Sequence, residues 1–364
     1  MRKILAKVVS YCTILTYVST LSGKGPATLF VQKIFMTIIR LFSRNAAHIQ
    51  YSVTSKLNYK YFNAKDDTAF WHAWREKYCS SSLKTTGTLN GRQGDANVCN
   101  EFTEQFRSVF QTNTLNSDCE YEAEFSKMDF ASEETNFPRI DIDLCRQCIG
   151  KMKLNKSSGF DNVSTEHLLF GGDELCVHLC LLFNTMLQHC YVPDRFGYGL
   201  IVPLLKDKHG DQSKSDMYRG ITLSPTIAKL FEYLLMELYG DQLSSDALQF
   251  GFKKHSGCCH ALFTFKETTK YFIKKGSKVY CAFVDASKAF DKVLYNGLFV
   301  KLMKKNVSLR FVHILKNWYS KLYASVMWNG VIGPVFPIYC GVRQRQGGIL
   351  SLLLFSVYID DYVC

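Results

Sequence analysis

The sequence predicts an α+β fold, and three observations predict it. Apolar residues recur at helical spacing in several separate runs, one later apolar stretch is continuous and strand-like, and short loops punctuate the segments after residue 136. Of 364 residues, 47% are hydrophobic and 21% charged, which suits a folded chain of two or three domains or one large domain with extensions.

Along the chain, the first segment is the least regular. Met1-Arg2-Lys3 followed by Val8–Leu21 imitates a signal peptide, but Ser10, Thr13, Thr16, Ser19 and Thr20 dilute its apolar run. Leu29–Phe42 is strongly apolar yet short for a membrane span, and Lys33 and Arg40 interrupt it. It fits an interfacial helix or an ordinary core helix. Residues 1–50 therefore read as an apolar and basic helical extension. Residues 51–135 read as a helical connector. Trp71, Trp74 and Tyr78 share one face, as do Phe102, Phe106, Val109 and Phe110. Asn113–Asn136 is polar and acidic, and is the expected linker.

Fourteen cysteines are scattered without a regular framework, which predicts a reduced, intracellular protein. Cys145, Cys148, Ile149 and Met152 form a helical stripe, so the lone CxxC reads as core rather than as a zinc site. Cys176 and Cys180, in the apolar run Leu175–Phe183 that also holds His178, read the same way.

The formal charge of +12 is uneven, with +3 over residues 1–150 and +9 over residues 151–364. A basic second half favours a polyanionic partner, nucleic acid before membrane, against the plainer alternative of a solvated basic surface.

The chemistry concentrates in Val279–Val293, VYCAFVDASKAFDKV. Val279–Val284 has the composition of a strand buried on both faces, and it delivers Asp285 at its end. A carboxylate there needs a cleft, a cation or a metal. Two other roles compete: capping a helix that begins near Ser287, or pairing with Lys288.

This run resembles the first catalytic palm motif of the reverse transcriptases of LINE-type (non-LTR) retrotransposons, jockey-like in character. Other blocks carry the same resemblance in order: Lys153–Glu166 with Gly159 and Asp161, Leu182–Pro193, Ile201–Lys206, Tyr218–Ser224, Gln249–His255 and Gly341–Phe355. The resemblance covers the chain from about Phe70 to Cys364. It implies a right-hand polymerase, with fingers over residues 136–270 and an incomplete palm over 271–364.

The implied activity is RNA-directed DNA polymerisation, a nucleotidyl transfer. The implied partners are an RNA template, a DNA primer and deoxynucleoside triphosphates, and the implied cofactor is a pair of Mg²⁺ ions. Asp285 and the Ala286 carbonyl then stand as metal ligands, with Asp285 the catalytic acid. Lys206 and Arg219 reach the triphosphate, Phe290 gates against a ribose 2′-hydroxyl, and Gln346 and Gly347 lie under the templating pair.

Departures are visible. Gly220 stands where the family often has Pro, Arg-Gln is doubled at 343–346, and Leu352 replaces the Pro expected after a Ser351 cap.

Tyr358-Ile359-Asp360-Asp361 spells the second catalytic motif, but Leu352, Phe355, Ser356 and Ile359 keep helical spacing through it. The pair is therefore expected on a helix, not on a catalytic hairpin. On that reading the metal site is incomplete, the palm is cut short, no endonuclease domain precedes it, and the chain by itself is expected to be inactive. Three other classes compete. They are a nucleic-acid-binding remnant without chemistry, a membrane-associated protein using residues 29–42, and a phosphotransferase with an aspartyl nucleophile. Ser287, where the last would want a second acid, argues against it.

Overall fold

The computed structural model describes residues 87–112, 115–127, 138–207, 210–253, 255–286, 288–342 and 348–362. The expectations for residues 1–86, including Leu29–Phe42 and the Trp71 face, lie outside the described residues, as do Gln346 and Gly347. Among the described residues no helix is long and apolar enough to cross a membrane.

The chain mixes helix and sheet, as an α+β fold requires. A small hairpin, β1 (Thr88–Leu89) and β2 (Arg92–Gln93), leads into α1 (Asp95–Val109) and α2 (Leu115–Lys127). Next come α3 (Ile142–Lys151), α4 (Thr165–Leu169) and α5 (Gly172–His189). Strands β3 (Tyr198–Leu205) and β4 (Tyr218–Leu223) precede α6 (Thr226–Tyr239) and α7 (Cys258–Lys274). Helices α8 (Tyr295–Lys304) and α9 (Leu309–Tyr319) lead to β5 (Tyr323–Trp328), β6 (Val331–Ile332) and β7 (Phe336–Pro337). The last helix is α10 (Leu350–Ile359).

The two segments Ile201–Lys206 and Tyr218–Ser224 do pair, antiparallel, with Leu204 opposite Arg219. The other edge of β3 carries β5 in parallel, Tyr198 opposite Tyr323, and β5 pairs in turn with β6 and β7. The turn from β5 to β6 is Asn329-Gly330, both in the left-handed region, as a tight hairpin requires. Helix α1 covers this sheet. Phe102 is fully buried, with ring centroids 5.0 Å from Tyr218 and 4.9 Å from Trp328. Burying one such ring contributes about 1.5–3 kcal/mol.

A larger core gathers helices α3, α5, α6, α8, α9 and α10. Phe231 lies between Phe183 (5.2 Å) and Trp318 (5.5 Å), and Phe196 meets the same Trp318 at 6.2 Å. The stripe Cys145, Cys148, Ile149 and Met152 is buried in this core, and the Asp141 carboxylate caps α3 by accepting from the Leu144 N–H at 2.8 Å. Gly197, just before β3, sits where the chain nears the start of β5. A Cβ there would fall 2.8 Å from the Lys321 carbonyl carbon, backbone that cannot step aside. Gly197→Ala should therefore cost about 3 kcal/mol or more. An unchanged urea midpoint would contradict that close approach.

Three expectations are corrected. Residues 115–127, inside the expected linker, form helix α2 instead, because Phe125 drops into the main core and Glu124 pairs with Lys304 at 2.8 Å. Val279–Val284 is not a buried strand. It forms no ladder among the described residues, and Tyr280, Phe283 and Val284 are more than four-fifths exposed. Side-chain type alone does not make a strand. Both edges of β3 are taken by β4 and β5, and Phe283 meets the ring of Phe265 on α7, itself a helix with no buried residue. Finally, among the described residues no α-helix starts near position 287. A 3-10 turn spans Ala289–Lys292 and α8 begins at Tyr295.

Candidate nucleic-acid and nucleotide cleft

The segment Lys153–Glu166 is folded onto the start of α6. Gly159 makes this possible, since a Cβ there would meet Ser224 C at 2.8 Å and Pro225 N at 2.9 Å. The Thr226 hydroxyl then donates to the Val163 carbonyl, and Asp161 turns the chain by accepting from the Val163 N–H at 3.2 Å. Burial pushes the Asp161 carboxyl up to about 6, against the opposing pull of the Val163 N–H and the charges of Lys229 and Arg195.

That docking opens a cleft of about 720 Å³. Its walls are Lys153, Lys156 and Ser157 on one side and Ile221–Leu223 of β4 on another. Thr226, Lys229 and Tyr233 of α6 form a third wall, and Phe290, Gly348, Ile349 and Ser351 close the cleft. Three lysines thus line one space. The first turn of α6 also borders it and carries no acidic residue, and a helix N-terminus carries partial positive charge, so that wall favours an anion.

Helix α10 is positioned from below. Glu232, buried on α6, accepts from the Ile349 N–H at 2.7 Å. It takes the capping role expected of Ser351, which instead lies buried within the helix. The sequence carried no signal for this, because the acid lies more than a hundred residues away on another helix.

Of the expected site residues, Phe290 lines the cleft, half-buried, and stacks on Phe355 at 4.2 Å. Lys206 and Arg219 are exposed at the same end of the β3–β4 ladder, where the Lys206 ammonium donates to the Asp216 carbonyl at 2.5 Å. They are not among the residues that line the cleft. Neither are Asp285 and Ala286, which are exposed. Among the described residues no three acids, histidines or cysteines gather as a metal group. The donors present at Asp285 and Ala286 are a carboxylate and a carbonyl, hard oxygens that suit magnesium, an ion that completes its shell with water and substrate phosphates. Lys153, Lys156 and Lys229 were the residues that sequence reasoning passed over. Two lay in a quoted motif, but nothing local shows which way a lysine faces.

The terminal Tyr-Ile-Asp-Asp lies on α10 and the 3-10 turn Asp360–Tyr362 that follows, and no hairpin is built from it. Asp360 is buried. It holds the Lys305 ammonium at 2.5 Å and accepts from the Asp246 N–H at 2.8 Å. Burial alone would raise its carboxyl, but Lys305, the Asp246 N–H and Lys253 together hold it below the usual range. Asp361 is exposed and pairs with Lys301 at 3.0 Å.

Residues 206–364 match the reverse transcriptase (RNA-dependent DNA polymerase) family. The chain is 26% identical over 227 residues to the RNA-directed DNA polymerase from mobile element jockey of Drosophila funebris, covering 61% of this chain and 24% of that protein. It is 27% identical over 232 residues to a probable RNA-directed DNA polymerase from transposon BS of Drosophila melanogaster, covering 62% of this chain and 25% of that protein. A similar protein from transposon X-element is 26% identical over 236 residues, covering 63% and 25%. The chain thus contains the reverse transcriptase domain of a retrotransposon. The relatives it resembles are polymerases of mobile elements, jockey among them. It spans about a quarter of the length of these relatives.

Proposed function

We propose that this chain supplies the fingers and part of the palm of an RNA-directed DNA polymerase, and that the lysine-lined cleft seats the template strand. The observation that carries this reading is the convergence of Lys153, Lys156 and Lys229 with the start of α6 on one space beside Phe290. A polynucleotide backbone is the ligand that such a cationic slot fits, since it presents phosphates in series.

In this reading the cleft lysines hold template phosphates. Lys206 and Arg219 hold the incoming triphosphate at the open end of the ladder, and Phe290 meets the sugar. Residues 136–270 then act as fingers and 271–364 as palm, with Gln346 and Gly347 under the templating pair. Asp285 and the Ala286 carbonyl would hold Mg²⁺, which when bound supplies the charge neutralisation that nucleotidyl transfer requires. An RNA template, a DNA primer and deoxynucleoside triphosphates are the partners that follow.

The test is binding of single-stranded RNA across a salt series. Removing three cations that each neutralise a phosphate should lower the slope of log affinity against log salt by about two. The triple substitution Lys153→Gln, Lys156→Gln, Lys229→Gln should show that drop, together with at least about tenfold weaker binding near 0.1 M salt. A slope equal to that of the native chain would remove the template from this cleft.

A further inference from the structure

We propose that Phe252 sets the sugar preference of the nucleotide pocket by holding the Phe290 ring in register. This rests on the reading of Phe290 as the group that meets the ribose 2′ position. Three rings form a closed cluster behind the cleft. Phe290 stacks on Phe355 at 4.2 Å and 29°, while Phe252 meets Phe290 at 5.8 Å and 79° and Phe355 at 6.1 Å and 84°. Phe355 comes from α10 and Phe290 from the 3-10 turn after Asp285. Phe252 comes from the turn between α6 and α7.

Two features separate Phe252 from a residue that merely fills the core. Its side chain is 45% exposed, so burial does not account for its place. Its backbone is left-handed, with φ of 58°. An L-residue with a bulky side chain is disfavoured there by about 1–2 kcal/mol, and such strain persists only where surrounding contacts over-determine it. Glycine would sit in this turn without strain. What the phenylalanine adds is the ring, and the ring's aromatic contacts are with Phe290 and Phe355.

The turn is clasped so that the ring cannot drift. Asp360 accepts from the Asp246 N–H at 2.8 Å, and the Lys253 ammonium donates to the Asp246 carbonyl. Lys305 bridges the Asp360 carboxylate, at 2.5 Å, to the Ser244 carbonyl, at 3.2 Å. The Gln249 amide lies beside Ser245 Oγ, the Ser356 carbonyl and Asp360 Oδ1, all acceptors, so the orientation that satisfies it turns the nitrogen toward them. The segment that presents Phe252 is thereby tied to α10 and to the 3-10 turn after it. Discriminating one hydroxyl depends on a ring held to a fraction of an ångström. With Phe355 behind it and Phe252 edge-on, Phe290 is held in that way. Phe252 is a positioning residue: it lies outside the cleft lining and acts through Phe290.

The experiment measures competition of dGTP and GTP for the full chain on a primer–template, with Mg²⁺ present. The native chain should favour the deoxynucleotide by about tenfold or more. Phe290→Ala should abolish the preference. Phe252→Gly relieves the left-handed backbone, so its urea midpoint should be unchanged or higher, yet its sugar preference should fall by at least about threefold. Phe252→Tyr restores the ring and should restore the preference. A residue that only stabilised the fold would move midpoint and preference together. If Phe252→Gly keeps the native preference while Phe290→Ala loses it, the role of Phe252 is overturned and the role of Phe290 stands. If the native chain shows no preference or no nucleotide binding, or Phe290→Ala leaves the preference intact, both are overturned.

Discussion

Asp360→Ala is expected to destabilise the fold by about 2–4 kcal/mol, and Asp361→Ala by less than about 1 kcal/mol, although the two acids are adjacent. The Asp360 side chain is 7% exposed and that of Asp361 is 69% exposed. Removing Asp360 leaves the Lys305 ammonium and the Asp246 N–H without the carboxylate they share. Removing Asp361 leaves Lys301 still donating to the Tyr358 carbonyl and lying over the Tyr358 ring.

The pH dependence has a definite sign. The carboxyl of Asp360 is held below its ordinary value in the fold. Its contribution is therefore present above the unfolded value of about 3.9 and is lost as pH falls through the lower folded value. Urea midpoints of the native chain and of Asp360→Asn should differ at pH 7 and converge below about pH 4. Equal midpoints at pH 7 would contradict the buried clasp. So would stabilisation of the isolated chain by Mn²⁺ that Asp360→Asn removes, since that would make the acid a metal ligand.

This contrast also shows what was legible in the sequence. The period-3.6 pattern through Leu352, Phe355, Ser356 and Ile359 was enough to place Asp360 and Asp361 at the end of a helix. It could not show that Asp360 is buried, because its partners Lys305 and Asp246 come from distant segments. The paired strands at 198–205 and 218–223 were legible from their flanking motifs. Strand β5 was also accessible, since Asn329-Gly330 between apolar runs is a strong hairpin signal, but it went unread.

Val279–Val284 failed in the opposite way. Its composition is that of a central strand, yet strand formation needs a neighbour's free edge, and none meets it among the described residues. Helix α2 was hidden by its acidic surface, with Phe125 the residue that anchors it. For the cleft, the sequence identified Phe290 by its motif, whereas Lys229 is one lysine among many until α6 turns it inward.

Asp285→Asn is expected to lower nucleotide incorporation by about a thousandfold or more, because it removes the carboxylate proposed to bind the metal ions, an effect of about 4 kcal/mol on the barrier. The measurement needs a polymerase in which the proposed site can be assembled. One route joins the following segment of a jockey-type relative after Cys364 and deletes the second Arg-Gln pair, Arg345-Gln346. The same polymerase carrying Asp360→Asn and Asp361→Asn should incorporate a single deoxynucleotide within about threefold of the parent, compared at equal concentrations of folded protein. The geometric reason is local. Asp285 lies exposed five residues before the Phe290 that lines the cleft, with no ion pair among the described residues. Asp360 is already engaged by Lys305 and the Asp246 N–H, and Asp361 by Lys301. Loss of folded protein in the double variant would follow from the Lys305 clasp and is removed by the concentration match. If, after that correction, the double variant is as inactive as Asp285→Asn, the terminal acids are catalytic and their helical placement does not represent the working enzyme.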